Sequence, residues 1–146
     1  MVYGLANDDL TNKIKLLQKR AIRLIANAEY RAPTLGIFRE LKILDFDKFL
    51  DLQLSLLMWE YDHRMLPKSF DEYFNRVSDC HNYATRSATK NKLSENVIIN
   101  TKMHGQKLLK YLGPKTFNKI VNLEFYHDCK TKESFVKHMK EHLLVC

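Results

Sequence analysis

Residues 45–61 read DFDKFLDLQLSLLMWEY, and this stretch decides the fold. The run is too long for an ordinary strand. Wound at 3.6 residues per turn, Phe46, Phe49, Leu50, Leu52, Leu54, Leu56, Leu57, Met58 and Tyr61 wrap most of the circumference. A helix that is apolar nearly all round belongs in the middle of its domain, so residues 45–63 are expected to form the core spine. The helix is expected to start at Asp45 or Asp47, and Pro67 ends the run.

Upstream of this spine, residues 8–29 carry Leu10, Ile14, Leu17, Ala21, Leu24 and Ala28 at alternating steps of four and three. That spacing marks one face of a helix, expected to point inward. Asp8 or Asp9 complements the helix N-terminus, while Lys13, Lys15, Lys19, Arg20 and Arg23 leave the other side basic. Pro33 biases Ala32 away from helical geometry, and Thr34 opens a short helix ending near Leu41.

Downstream, residues 69–74 suit one or two helical turns. The helical rhythm then stops from 77 to 101, where residues 83–86 and 97–100 are β-prone enough for a small hairpin or extended loop. Helix is expected again over 107–112, halting at Gly113 and restarting with Pro114 in its favoured first-turn position through Ile120. A final helix follows Thr131 to about 144, with Phe135, Met139 and Leu143 inward and Val136 alongside. The expected fold is mainly α: an irregular helical domain of about five or six helices with a small extended/β insert near 77–101. It is read as a single domain over 1–146, with 1–76 and 77–146 as its sub-halves.

Composition agrees with a packed helical chain. Four Gly and three Pro in 146 residues argue against disorder and turn-rich sandwiches, and 45% apolar content suffices for a core. No run is long and apolar enough to span a bilayer, and residues 1–10 lack the basic start and apolar segment of a signal peptide. Three scattered cysteines suit a reduced compartment, so an intracellular location, cytoplasmic and/or nuclear, is expected with no membrane partner. The net charge is +7, and its distribution is uneven. Residues 45–79 hold eight acidic against four basic groups, whereas 80–120 hold eight basic groups against Glu95 alone. Such a segment is expected of a phosphate-facing surface; a merely solvated lysine-rich face is the competing explanation.

Catalytic patterns are lacking. The acidic residues lie mostly on polar helix edges, and Asp8-Asp9 opens a helix instead of following a strand, so no metal-binding carboxylate pair is expected. Gly105 and Gly113 are isolated, so no phosphate loop is formed, and no Gly-x-Ser-x-Gly elbow occurs. Cys80 next to His81 is poorly arranged as nucleophile and base, since adjacent residues rarely face each other. Cys80, His81, His127 and Cys129, with His104, are soft or borderline ligands and make a slightly better option, for zinc, although their spacings are not the usual ones. No cofactor is expected. What remains is basic residues interleaved with aromatics: Tyr83, Arg86, Lys107, Lys110, Tyr111 and Lys115 are types that pair phosphates and stack on bases.

Several segments in order resemble a known family. LQKRAIRLI at 17–25, preceded by Tyr3-Gly4, is similar to a helix that follows the polymerase domain in non-LTR (LINE-type) retrotransposon proteins. Pro33-Thr34 with Phe38 and ELKIL at 40–44 resembles the next block, and HNYATR at 81–86 resembles the family's H-x-Y-x-T-R element. KYLGPK at 110–115 with Phe117-Asn118 is similar to a GPKLWN stretch, and Ser134-Phe135 with Lys137 and Lys140 to the terminal SFKKKLK helix. Phe117 stands where the family has tryptophan, and Val121 where it has proline.

The resemblance implies a position downstream of the reverse transcriptase palm, with the catalytic aspartates and the endonuclease preceding Met1 in a parent protein. It implies an accessory domain without catalytic activity that grips RNA, DNA or an RNA–DNA hybrid beside the reverse transcriptase core. Lys13, Lys19, Arg20, Arg23, Tyr83, Arg86, Lys107, Lys110 and Lys115 are the expected nucleic-acid contacts. The alternative is a helical interaction module that docks on the polymerase core or self-associates, which an exposed apolar patch off the basic face would favour.

Overall fold

A computed structural model describes residues 8–71, 73–80, 92–95 and 109–145. Among them the architecture is mainly helical: α1 Asp8–Ile25, α2 Thr34–Glu40, α3 Phe46–Asp62, α4 Val77–Cys80, α5 Leu109–Ile120 and α6 Lys132–Val145. Short 3-10 turns lie at Lys68–Phe70 and Glu124–Tyr126. The chain divides into two compact units, Met1–Gln53 with Val136–Cys146, and Leu54–Phe135.

In the first unit, α1 packs on α2. Ile22, Phe38, Leu44, Leu52, Met139 and Leu143 supply the buried apolar side chains. Gln18 Nε2 donates to the Leu44 carbonyl at 3.0 Å and Arg23 Nε to the Ala32 carbonyl at 2.9 Å, tying α1 to the chain on either side of α2. Asp45 caps α3 by accepting the Lys48 N–H at 2.9 Å. Asp47, in that helix's first turn, pairs with Lys15 at 2.8 Å.

The inward face of α1 differs from the expected one. Thr11 and Ile22 are its buried residues, with Gln18 between them. Leu10, Leu17 and Leu24 stay 54%, 62% and 81% exposed. The apolar arc of this helix is wider than a single packed stripe, and the half centred on Thr11 and Ile22 is the one its own unit covers.

In the second unit Trp59, wholly buried, lies between the His63 ring at 4.0 Å and Phe135 at 5.4 Å. Phe117, Tyr126 and Phe135 meet edge-on around it, the geometry that aromatic quadrupoles favour. The His63 Nδ1–H donates to the Trp59 carbonyl at 2.9 Å, fixing the stacked imidazole. Trp59 Nε1 is buried without a hydrogen bond among the described residues.

Gly113 and Pro114 do not break a helix. α5 runs continuously from Leu109 to Ile120 with both residues buried inside it. A Cβ on Gly113 would stand 2.7 Å from Phe74 Cε1 and 3.0 Å from Met58 Sδ, so glycine lets α5 approach these side chains closely. Tertiary packing here outweighs the local cost of Gly-Pro in a helix.

Three helices end alike without glycine. After α1, α2 and α3, residues Asn27, Lys42 and Arg64 take φ of 49°, 53° and 55°. In each case the next N–H reaches back five residues, from Ala28 to Arg23, Ile43 to Phe38 and Met65 to Glu60, at 2.9–3.0 Å. These are Schellman ends.

Of the expected insert at 77–101, residues 77–80 form the helical turn α4, and Leu93 forms one isolated antiparallel bridge with Arg76. The stretches 83–86 and 97–100 lie outside the described residues.

Candidate nucleic-acid interface

Leu93 is 1% exposed, and its backbone is satisfied on both edges. On one edge the Lys92 carbonyl accepts the Val77 N–H at 3.0 Å, and the Ser94 N–H donates to Asn75 at 2.8 Å. On the other edge Asn118 substitutes for a strand: its Oδ1 accepts the Leu93 N–H and its Nδ2 donates to the Leu93 carbonyl, both at 3.0 Å. The same Nδ2 donates to Glu95 at 2.8 Å. One α5 side chain therefore anchors a short segment in the middle of the most basic part of the sequence. Sequence reasoning noted Asn118 only as part of a motif. A carboxamide one position after a buried aromatic carries no local signal of this role.

Two of the expected cations, Lys110 and Lys115, precede Asn118 on the same helix. Lys110 Nζ lies 5.1 Å from the centre of the Tyr73 ring, and Lys115 Nζ lies 5.7 Å from that of Tyr111. Each ammonium is drawn to an aromatic face and remains available to an anion. Tyr83, Arg86 and Lys107 lie outside the described residues. In the first unit, Lys13, Lys19 and Arg20 stand exposed on α1. Arg23 is half-buried and donates to the Ala32 and Lys19 carbonyls, so its guanidinium serves the helix end first.

Two acidic side chains of α3, Asp62 and Glu60, have structural partners. Asp62 accepts Tyr126 Oη at 3.0 Å and Arg76 at 3.2 Å. Burial, then the Asp62 charge and hydrogen bond, pushes the Tyr126 phenol far above its ordinary range. Burial also raises Tyr61, against the opposing pull of Arg76. Glu60 accepts from Lys132 at 2.7 Å and thereby raises the pKa of that ammonium. Among the described residues no three His, Cys, Asp or Glu side chains converge as metal ligands. Of the zinc set, Cys80 is exposed and Cys129 buried, with Ser134 Oγ 3.8 Å from Cys129 Sγ. His127 is exposed against Tyr126. His81 and His104 lie outside the described residues.

No family model, curated protein or solved structure matches the chain. Among the described residues no helix is long and apolar enough to cross a membrane.

Proposed function

We propose that this chain is a non-catalytic, phosphate-gripping accessory domain of the kind found after the polymerase in non-LTR reverse transcriptases. The ordered motif resemblance supports it, and one structural observation carries it. The ion pairs among the described residues engage Lys15, Arg76 and Lys132. None of them takes up Lys13, Lys19, Arg20, Lys110 or Lys115. These cations are exposed and have no acidic partner among the described residues, and their mode of action is non-specific: lysine and arginine displace condensed counterions from nucleic-acid backbone. The ligand is RNA, DNA or their hybrid.

Fluorescence anisotropy with single-stranded RNA, duplex DNA and RNA–DNA hybrid tests this at ~50 and ~200 mM salt. If Arg86, Lys110 and Lys115 each neutralise one phosphate, their contacts alone give a roughly fortyfold loss of affinity across that range. Charge reversal at all three should weaken binding and flatten the salt slope. An unchanged slope refutes the site.

The second reading is a helical docking module for a polymerase core or another copy. The exposed row Leu10, Leu17 and Leu24 on α1 favours it, because large apolar rows left open on a surface mark interaction sites.

A further inference from the structure

We infer that the open side of α1, together with the cleft beside Gln18, seats an acidic amphipathic helix. This inference rests on the docking reading and names the chemistry of the partner.

Leu10, Ile14, Leu17, Ala21 and Leu24 follow steps of four and three, the spacing of a coiled-coil seam. Over 14 residues this row runs about 21 Å, four turns of helix. It is not the packed face, which lies roughly a quarter turn away at Thr11 and Ile22. A concavity lies on the Gln18 side of the row, lined by none of the row's own side chains. Gln18 is one turn from both Ile14 and Ala21, and it also lines a cleft of about 400 Å³ with Ile43, Phe49 and Leu52. A seam that borders a cleft can receive side-chain knobs from a second helix. A flat acyl surface would leave the cleft unfilled, and a nucleic-acid backbone has nothing to bury there.

Charge selects the partner. Lys13 and Arg20 line the far edge of the row, and Lys42 and Lys140 line the cleft. No carboxylate occurs between Asp9 and Glu29, and none lines the cleft. A second copy of α1 laid antiparallel would set Lys13 and Arg20 against their own equivalents. A helix with leucine-type residues at seam positions and carboxylates on both flanks meets apolar with apolar and cation with anion.

The experiment uses the full chain and synthetic helices of about four turns, sharing one leucine seam but flanked by Glu or by Lys. Isothermal titration is paired with sedimentation of the chain alone. The Glu-flanked helix should bind at least about tenfold tighter than the Lys-flanked one. Leu17→Glu with Leu24→Glu should abolish that preference while leaving helicity intact, because both residues are exposed. Should these variants unfold, the two helices on the native chain still decide. Equal binding of both helices overturns the acidic partner but leaves the docking reading standing. No binding of either, by a folded monomer, removes both. Self-association abolished by Leu17→Glu makes a second copy the occupant and overturns the inference. So does tighter binding to anionic phospholipid vesicles than to the Glu-flanked helix.

Discussion

Replacing Asn118 with alanine removes the only side chain that pairs with both backbone groups of Leu93 among the described residues. Leu93 is 1% exposed, so its N–H and carbonyl lose partners where water compensates poorly. Each orphaned group costs about 1–2 kcal/mol, giving roughly 2–4 kcal/mol in all. For a chain of this size that lowers the melting temperature by roughly 5–15 °C. Asn118→Asp separates the two halves of the interaction. A carboxylate still accepts the Leu93 N–H, but it faces the Leu93 carbonyl and Glu95 with no donor. It should cost at least as much as alanine at neutral pH and recover as acid protonates it. Urea unfolding followed by far-UV circular dichroism gives the free energies, and amide exchange at Leu93 reports the local bond. A loss under about 0.5 kcal/mol for Asn118→Ala, with Leu93 still protected, would refute the clamp.

Gly113→Ala places its methyl against Phe74, and overpacking of about 1–3 kcal/mol should exceed the helix-propensity gain, so chemical denaturation should show net destabilisation. Arg64→Gly relieves a left-handed residue at an exposed helix end and should raise stability by about 0.5–1 kcal/mol in the same assay. Tyr126 has a raised folded pKa, so the folded state holds its phenolic proton more tightly than the unfolded chain does. Its contribution is therefore complete below pH 10.0 and falls above it, by up to about 1.4 kcal/mol per pH unit. Alkaline unfolding should begin there, and Tyr126→Phe should flatten the pH dependence even though it forfeits the Asp62 bond.

The sequence was most legible where periodicity and capping agreed. α3 forms where its apolar run implied and buries Leu52, Met58 and Trp59, but the burial is not all round: Phe49 stays 47% exposed. Asp45 caps it, and Thr131 caps α6 by accepting the Ser134 N–H at 3.3 Å. Phe135, Met139 and Leu143 point inward as their spacing required. Legibility failed where the deciding partner is distant in sequence. The arc of α1 offers two apolar halves, and only the rest of the first unit determines that Ile22 is covered and Leu24 is not. Gly113 and Pro114 read as a break until Phe74 and Met58 are set beside them. The ends of α2 and α3 use Lys42 and Arg64 in a conformation that favours glycine, so no residue type announces them. At the candidate interface, residue type revealed the cations. Sequence did not reveal that Arg23 is held by the Ala32 carbonyl or that Lys110 lies against Tyr73.

Trp59 is the chain's one tryptophan, wholly buried and stacked on an imidazole. The molecule therefore carries an intrinsic fluorophore confined to the second unit. Its emission should be blue-shifted in the native state and redden when that unit opens. An event limited to the first unit that leaves this environment unchanged would be optically silent, so Trp59 emission times the opening of the second unit alone, without an attached dye.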